Sequence, residues 1–275
     1  MLSLLPLLAL SRLCLGGVAL FLLACAALCP RCRAAEGGRF VKETLSAAGS
    51  VVTAPARLDR TSAWWAGGLA AGGLLVYAHD GQLRHLAGRN RSDLNDDLAS
   101  GLEKFGNGTY ELSLLGLYGG LCYLFNGREG LTTSGLALQS FLAANAAGTL
   151  VKYSAGRARP YAEDGKRRFT PFRFKSARTS FPSGHTTSAF AVASVFSRRC
   201  ASPAVGISAY ALAAGTALQR VYDDKHWASD VFAGAVLGTA VGRWIADPAR
   251  KGRPSAMLLP VYSRDYSGAA AVFAF

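Results

Sequence analysis

Three short clusters in the second half of the chain carry side chains that can act on an anion. The first, KYSAGRARP, holds Lys152 and Arg159, which are seven residues apart and so lie on one face of a helix. Pro160 is expected to end that helix. By itself, the cluster is more typical of a helix that ends in solvated basic residues.

The second cluster, SFPSGHTTSAF, is expected to begin a helix. Ser183 can cap that helix, and Gly184 lets a ligand approach the backbone closely. The unpaired N–H groups of the first turn and the helix dipole together favour an anion at this end. His185 would lie beside such an anion and exchange a proton with it. A capped helix with an incidental histidine is the alternative.

The third cluster, RVYDDKHWASD, contains Arg220, His226 and Asp230. On a helix, residues four apart are neighbours, so the carboxylate of Asp230 can meet the imidazole of His226 directly. Such a pair fixes the tautomer of the ring and leaves its other nitrogen free to react. Taken alone, the spacing is more typical of a histidine–aspartate pair on the surface of a helix.

The three clusters together have the parts that transfer of a phosphoryl group requires. Three cations and a helix N-terminus can hold the phosphoryl oxygens and stabilise charge in the transition state. One histidine can attack phosphorus, giving a phosphohistidine, while the other protonates the departing oxygen. This chemistry needs no metal ion, and no cofactor of any kind is expected.

The clusters resemble the signature motifs of the type 2 phosphatidic acid phosphatase superfamily, which includes membrane lipid phosphatases, bacterial class A acid phosphatases and vanadium-dependent haloperoxidases. The resemblance covers residues 152–230 and implies an all-α bundle with the motifs at one end. One position departs from the family pattern, since Gln219 stands where the family usually has serine. The resemblance implies phosphate binding by Lys152, Arg159, Ser183, Gly184 and Arg220, attack by His226 oriented by Asp230, and protonation of the leaving group by His185.

The rest of the chain also favours helices. Its apolar segments are rich in Ala, Gly and Leu, lack the alternation typical of strands and are expected to be helices. These segments are residues 63–78, 112–125, 131–151, 186–196, 203–218 and 231–245. Residues 89–108 are expected to form a polar loop, and the tail, 251–275, to form a β-hairpin. Uninterrupted apolar runs reach only about 17 residues, whereas a membrane span needs roughly 20. The predicted fold is therefore an all-α domain, 36–250, that is exported whole or rests on a membrane, followed by the hairpin.

The first 35 residues are almost wholly apolar and end in small residues, as a secretory signal peptide does. A lipoprotein anchor at Cys25 and an uncleaved anchor helix are the alternatives. We therefore expect an exported protein, in the periplasm or on the periplasmic face of the membrane. Beyond the leader, Cys122 and Cys200 are expected to be buried thiols, with a disulfide as the alternative.

The net charge of +13 favours an anionic partner, either a membrane surface or a phosphorylated substrate. No nucleic acid partner is expected, because no DNA- or RNA-binding motif accompanies the charge. The basic loop between the first two clusters also carries Phe169, Phe172 and Phe174, which are candidates for contact with a bilayer or an acyl chain.

The leading hypothesis is a phosphatase for phosphorylated lipids such as phosphatidate, phosphatidylglycerol phosphate or a polyprenyl pyrophosphate. A secreted phosphatase for small phosphate esters is the main alternative, and a vanadate-dependent haloperoxidase is a weaker one.

Overall fold

The computed structural model describes residues 60–200, 202–247, 255–262 and 267–274. The leader, with its three possible fates, lies outside these residues. The α-helices of the described part are α1 Arg60–Arg89, α2 Asp93–Gly106, α3 Gly108–Ala155, α4 Gly184–Arg199, α5 Pro203–Tyr222 and α6 Ala228–Ala246. Single 3₁₀ turns lie at Pro160–Ala162 and Ser176–Arg178.

The expected polar loop at 89–108 is wrong, because most of it forms α2. The Ser92 hydroxyl caps this helix by accepting a hydrogen bond from Asn95 N at 3.2 Å. Leucines at every fourth position give the helix one apolar stripe, of which Leu102 packs against Gly215 of α5 while Leu94 and Leu98 are exposed. A cap and a leucine period therefore outweigh the polar composition.

The helical segment α3 is not a straight rod. Ser134 Oγ donates to Leu115 O at 3.0 Å, whereas residues 19 apart on a straight helix would be about 28 Å apart. The segment therefore doubles back, and its two arms lie side by side, much as the two apolar runs in its sequence suggest. The second arm ends at the first of the three clusters.

Helices α4 and α6 pack closely because glycines of α6 lie against the backbone of α4. A Cβ atom on Gly238 or Gly242 would overlap the carbonyl oxygens of Thr187 and Ala191, respectively. This close packing brings the N-termini of the two helices together, and with them the second and third clusters.

The predicted all-α fold with a terminal hairpin is confirmed. The tail forms β1 Ser255–Tyr262 and β2 Ser267–Ala274, which pair antiparallel with Ser255 opposite Ala274. Among the described helices, none has the combination of length and hydropathy needed to cross a bilayer. Cys122 and Cys200 are both buried, as expected.

Candidate active site

The C-terminus of α3 places the first two cations, although not as the sequence predicts. The helix ends at Ala155, because Gly156 takes a left-handed conformation with φ of +59° and donates to Lys152 O at 3.0 Å. Lys152 is therefore in the last turn, while Arg159 lies beyond the helix in extended backbone. The expectation that both share one helical face, with Pro160 ending the helix, is wrong.

Helix α4 begins at Gly184, as its sequence suggests. The expected side-chain cap is absent, since the Ser183 hydroxyl accepts from the Thr186 hydroxyl at 3.0 Å instead of from the backbone. Helix geometry leaves the first N–H groups of α4 without intrahelical partners. The Lys152 ammonium nitrogen lies 3.2 Å from the position that a Cβ on Gly184 would take, so a cation faces this helix end.

Arg220 lies in the last turn of α5 and is buried. Its Nη1 donates to Glu103 Oε1 at 3.2 Å. Within the described residues, the Nε atoms of both Arg220 and Arg159 are buried and have no hydrogen-bond partner. A buried donor without a partner costs free energy, and an anion would remove that cost. We call Lys152, Arg159 and Arg220 the cation cluster.

His226 lies just before α6 and is buried. Its Nδ1 donates to Ser180 O at 2.7 Å, while Asp230 Oδ2 is 4.0 Å from Nδ1, beyond hydrogen-bonding distance. The expected direct histidine–aspartate hydrogen bond is therefore wrong. The physical reason is that α6 starts at Ala228, after His226, so the two residues do not share a helical turn.

Asp230 instead belongs to a buried polar group that we call the support network: Asp80, Arg157, Ser180, Ser229 and Asp230. Arg157 donates to Asp230 Oδ1 at 2.5 Å, to Ser229 Oγ at 2.7 Å and to Asp80 Oδ2 at 2.8 Å. The Ser180 hydroxyl donates to Asp230 Oδ2 at 2.5 Å. Ser180 therefore joins the network through its hydroxyl and holds His226 through its carbonyl.

Asp80 and Arg157 were missed by the sequence analysis, although a signal for one of them existed. Asp80 is an acidic residue just after an apolar helical segment, and it is fully buried. A buried carboxylate requires a cation or hydrogen-bond donors, and Arg157 and Ser229 N supply them. Arg157 itself gave no signal, since nothing in GRARP separates its role from that of Arg159.

The cation cluster acts on both candidate histidines. Burial, and then the charges of Arg159, Arg220 and Lys152, lower the pKa of His226 well below its usual value. Burial and the same three charges lower the pKa of His185 to about 4. Burial and neighbouring arginines also lower the pKa of Lys152 to about 8. Both imidazoles are consequently neutral at pH 7, and the Nε2 lone pair of His226 is available.

The structure thus brings all eight predicted residues into one region, at the junction of α3, α4, α5 and α6. The unusual Gln219 is buried and donates to Asp223 Oδ2 at 2.5 Å, which secures the end of α5. Lys152, Arg159, Gly184 and His185 keep partial exposure, whereas Ser183, Arg220, His226 and Asp230 are buried. The site is therefore open on the side of His185 and closed behind His226.

Residues 134–250 match the family model described as the PAP2 superfamily. The chain is 41% identical over 101 residues to a lipid A 1-phosphatase of Porphyromonas gingivalis and 37% identical over 91 residues to one of Rhizobium etli. Those matches cover 35% and 32% of this chain. The chain spans only 20% of the first relative's length and 38% of the second's.

The fold is similar to that of a transmembrane PAP2-type phosphatidylglycerolphosphate phosphatase from Bacillus subtilis. The TM-score is 0.53 at 22% identity, over 68% of this chain and 96% of that one. The similarity agrees with the helical architecture described above.

Proposed function

We propose that the chain, whose residues 134–250 match the PAP2 superfamily model, is a member of that superfamily and a metal-independent phosphatase that removes the terminal phosphate of phosphorylated lipids. The observation that carries the proposal is a pair of buried Nε donors, of Arg159 and Arg220, that have no partner among the described residues and lie beside two neutral histidines. A tetrahedral dianion supplies the acceptors that these donors lack.

In the first step, Nε2 of His226 attacks phosphorus, a P–N bond forms and the P–O bond to the lipid breaks. The leaving oxygen takes a proton from His185. The cation cluster and the N–H groups of α4 hold the three remaining phosphoryl oxygens. In the second step water attacks phosphorus, returns its proton to His185 and breaks the P–N bond, which releases phosphate.

The support network prepares His226 for this attack without touching the substrate. It fixes Ser180, whose carbonyl accepts the Nδ1 proton and keeps the lone pair on Nε2. His185 needs a proton before it can act as an acid, although burial and the cation cluster lower its pKa to about 4. A bound phosphate dianion opposes the charge of the cation cluster, so substrate and proton enter the site together.

Lipids are the proposed substrates for two reasons. The curated relatives are lipid A 1-phosphatases, and the loop after α3 exposes both cations and aromatic rings. Phe172 and Phe174 in that loop are 70% and 76% exposed and flank the exposed Arg173. Cations beside exposed rings suit an anionic bilayer surface. We therefore propose action at the periplasmic face of a membrane, on phosphatidate, phosphatidylglycerol phosphate or a polyprenyl pyrophosphate.

The test is phosphate release by the full chain in the presence of EDTA. Phosphatidate in mixed micelles and p-nitrophenyl phosphate are offered in parallel, with His226→Ala as the control. Release from the lipid, abolished by the substitution and accompanied by an acid-labile phosphoprotein, is expected. Release from the soluble ester alone would instead favour the secreted acid phosphatase. Bromide oxidation with vanadate and peroxide, without phosphate release, would favour the haloperoxidase.

A further inference from the structure

Glu111, in the first turn of α3, is a buried acid that the proposed reaction does not use. It is 5% exposed, and neither carboxyl oxygen has a hydrogen-bond partner in the part of the chain that the structure describes. Its polar neighbour is Ser188, whose single hydroxyl proton is donated to His185 O at 3.2 Å and therefore not to Glu111. Burial raises the pKa of Glu111 to about 8, with Ser188 opposing the shift, so the group is a neutral acid at pH 7.

The acid lines a pocket of about 80 Å³ whose other walls are apolar. Helix α2 contributes Phe105, α4 contributes Ala189 and Val192, and α5 contributes Ala213. The volume equals that of two or three water molecules, enough for a carbonyl group and a few carbons. A neutral carboxylic acid can donate one hydrogen bond and accept others, so the pocket suits an apolar ligand with one polar atom.

The pocket begins beside the residue proposed to protonate the leaving group. Ala189 is one helical turn after His185 on α4. Gly106, next to Phe105, lies against His185, since a Cβ on this glycine would be 2.8 Å from His185 Cβ. The lipid that leaves with a proton from His185 therefore has this pocket within reach of its first carbons.

We propose that Glu111 recognises the acyl linkage of the lipid, donating a hydrogen bond to an ester or amide carbonyl while the adjoining carbons fill the pocket. This inference rests on the proposed function and narrows its substrate class. Acylated phospholipids and acylated sugar phosphates have such a carbonyl, whereas polyprenyl phosphates do not. The site therefore selects acyl-linked lipid phosphates.

The test compares kcat/KM on dioctanoyl phosphatidate with that on farnesyl phosphate, which lacks the carbonyl. Glu111→Leu should lower the ratio of the two constants about tenfold, the worth of one hydrogen bond. Glu111→Gln keeps a donor and should change the ratio by less than about threefold. The leucine variant should also raise Tm, because it removes an unsatisfied polar group from an apolar site.

A matched pair on α5 tests the pocket independently. Ala213→Leu fills it and should raise KM for dioctanoyl phosphatidate more than KM for farnesyl phosphate. Ala214→Leu, on the exposed side of the same helix, should leave the ratio of the two KM values unchanged. If Glu111→Leu fails to fold, the α5 pair carries the test alone.

An unchanged ratio in Glu111→Leu or, in its place, Ala213→Leu would overturn the inference while leaving the phosphatase intact. If the wild-type chain hydrolyses neither dioctanoyl phosphatidate nor farnesyl phosphate, the proposed function is overturned instead. Calorimetric binding of the same two lipids would then decide the role of the pocket. A preference for dioctanoyl phosphatidate that Glu111→Leu removes would support the inference, and equal binding by both proteins would refute it.

Discussion

Arg157 and Arg159 lie two residues apart after the same helix, yet their surroundings are opposite. Arg157 is 1% exposed, and its guanidinium bonds to Asp80, Ser229 and Asp230. Arg159 is half-buried, and its Nε has no partner within the described residues. The hydrogen bonds of the support network are thus made within the protein, whereas an anion would supply acceptors to the Nε donors of the cation cluster. Carboxylates of the protein hold the guanidinium of Arg157 in place, whereas we propose that the partnerless Nε donors of Arg159 and Arg220 bind the substrate phosphate.

The largest effect is expected at His226, which the support network holds and the cation cluster surrounds. His226→Ala removes the proposed nucleophile and should lower phosphate release by about 10⁶-fold, as loss of an enzyme nucleophile does. Its Tm should fall modestly, because a cavity replaces the buried ring and Ser180 O loses its donor, although the network still bonds to the Ser180 hydroxyl. Steady-state kinetics measures the loss of phosphate release, and thermal melts measure the change in Tm. If activity survives in His226→Ala but not in His185→Ala, the roles of nucleophile and general acid are the reverse of those proposed.

The two arginines should separate stability from activity. Arg157→Leu leaves the carboxylates of Asp80 and Asp230 buried without their cation, which should cost about 3–5 kcal/mol of unfolding free energy. Arg159→Leu removes an unsatisfied cation, so stability should hold or rise, while kcat/KM falls about 100-fold. Urea unfolding measures the free energy of unfolding of both variants, and phosphate release measures their kcat/KM. A stability loss at Arg159 equal to that at Arg157 would break the comparison.

The sequence predicts the cation cluster and both histidines because their chemistry depends on residue types at fixed spacings. It also predicts α4, α5 and α6 to within a few residues, since apolar composition and a turn signal mark each of them. The support network is different, because it joins Asp80 to residues about 75 and 150 positions away. Only the packing of α1 against α6 creates those contacts, and no local pattern encodes it.

Local geometry explains the other differences. His226 was expected on the same helix as Asp230, but Trp227 is the N-cap residue and α6 begins after it. The carbonyl that accepts from His226 belongs to Ser180. Because every residue has a backbone carbonyl, the residue type at position 180 does not predict this bond. For α2, the cap at Ser92 and the leucine spacing are signals present in the sequence, but the loop prediction gave more weight to the polar composition.

Anion binding should couple to a proton through His185, which sharpens the idea of a site that an anion completes. Burial and the cation cluster lower the pKa of His185 to about 4, and a bound dianion should raise this value toward neutrality. Binding then takes up a proton between the two pKa values, so sulfate affinity should rise as the pH falls from 7 to 5. The rise should approach tenfold for each pH unit at most. Calorimetry at three pH values measures it.

The variants His185→Ala and His226→Ala show which histidine takes up the proton when sulfate binds. His185→Ala should remove the pH dependence of sulfate binding, and His226→Ala should retain it. A slope that persists in His185→Ala but disappears in His226→Ala would place the proton on the proposed nucleophile, and the proposed acid would then need another identity.

The smallest effect is expected at Ser180, where the two regions meet in one residue. Its hydroxyl donates to Asp230 in the support network, while its carbonyl accepts from His226 beside the cation cluster. Ser180→Ala deletes the first bond and keeps the second. Because Trp227 N still donates to Asp230 Oδ2 at 3.0 Å, the loss should be about 1–2 kcal/mol of stability. Release kinetics should show kcat within about threefold of wild type, since the carbonyl that orients the imidazole is backbone. A fall of 100-fold at unchanged stability would mean that the hydroxyl orients His226 after all, and that the support network acts on the reaction directly.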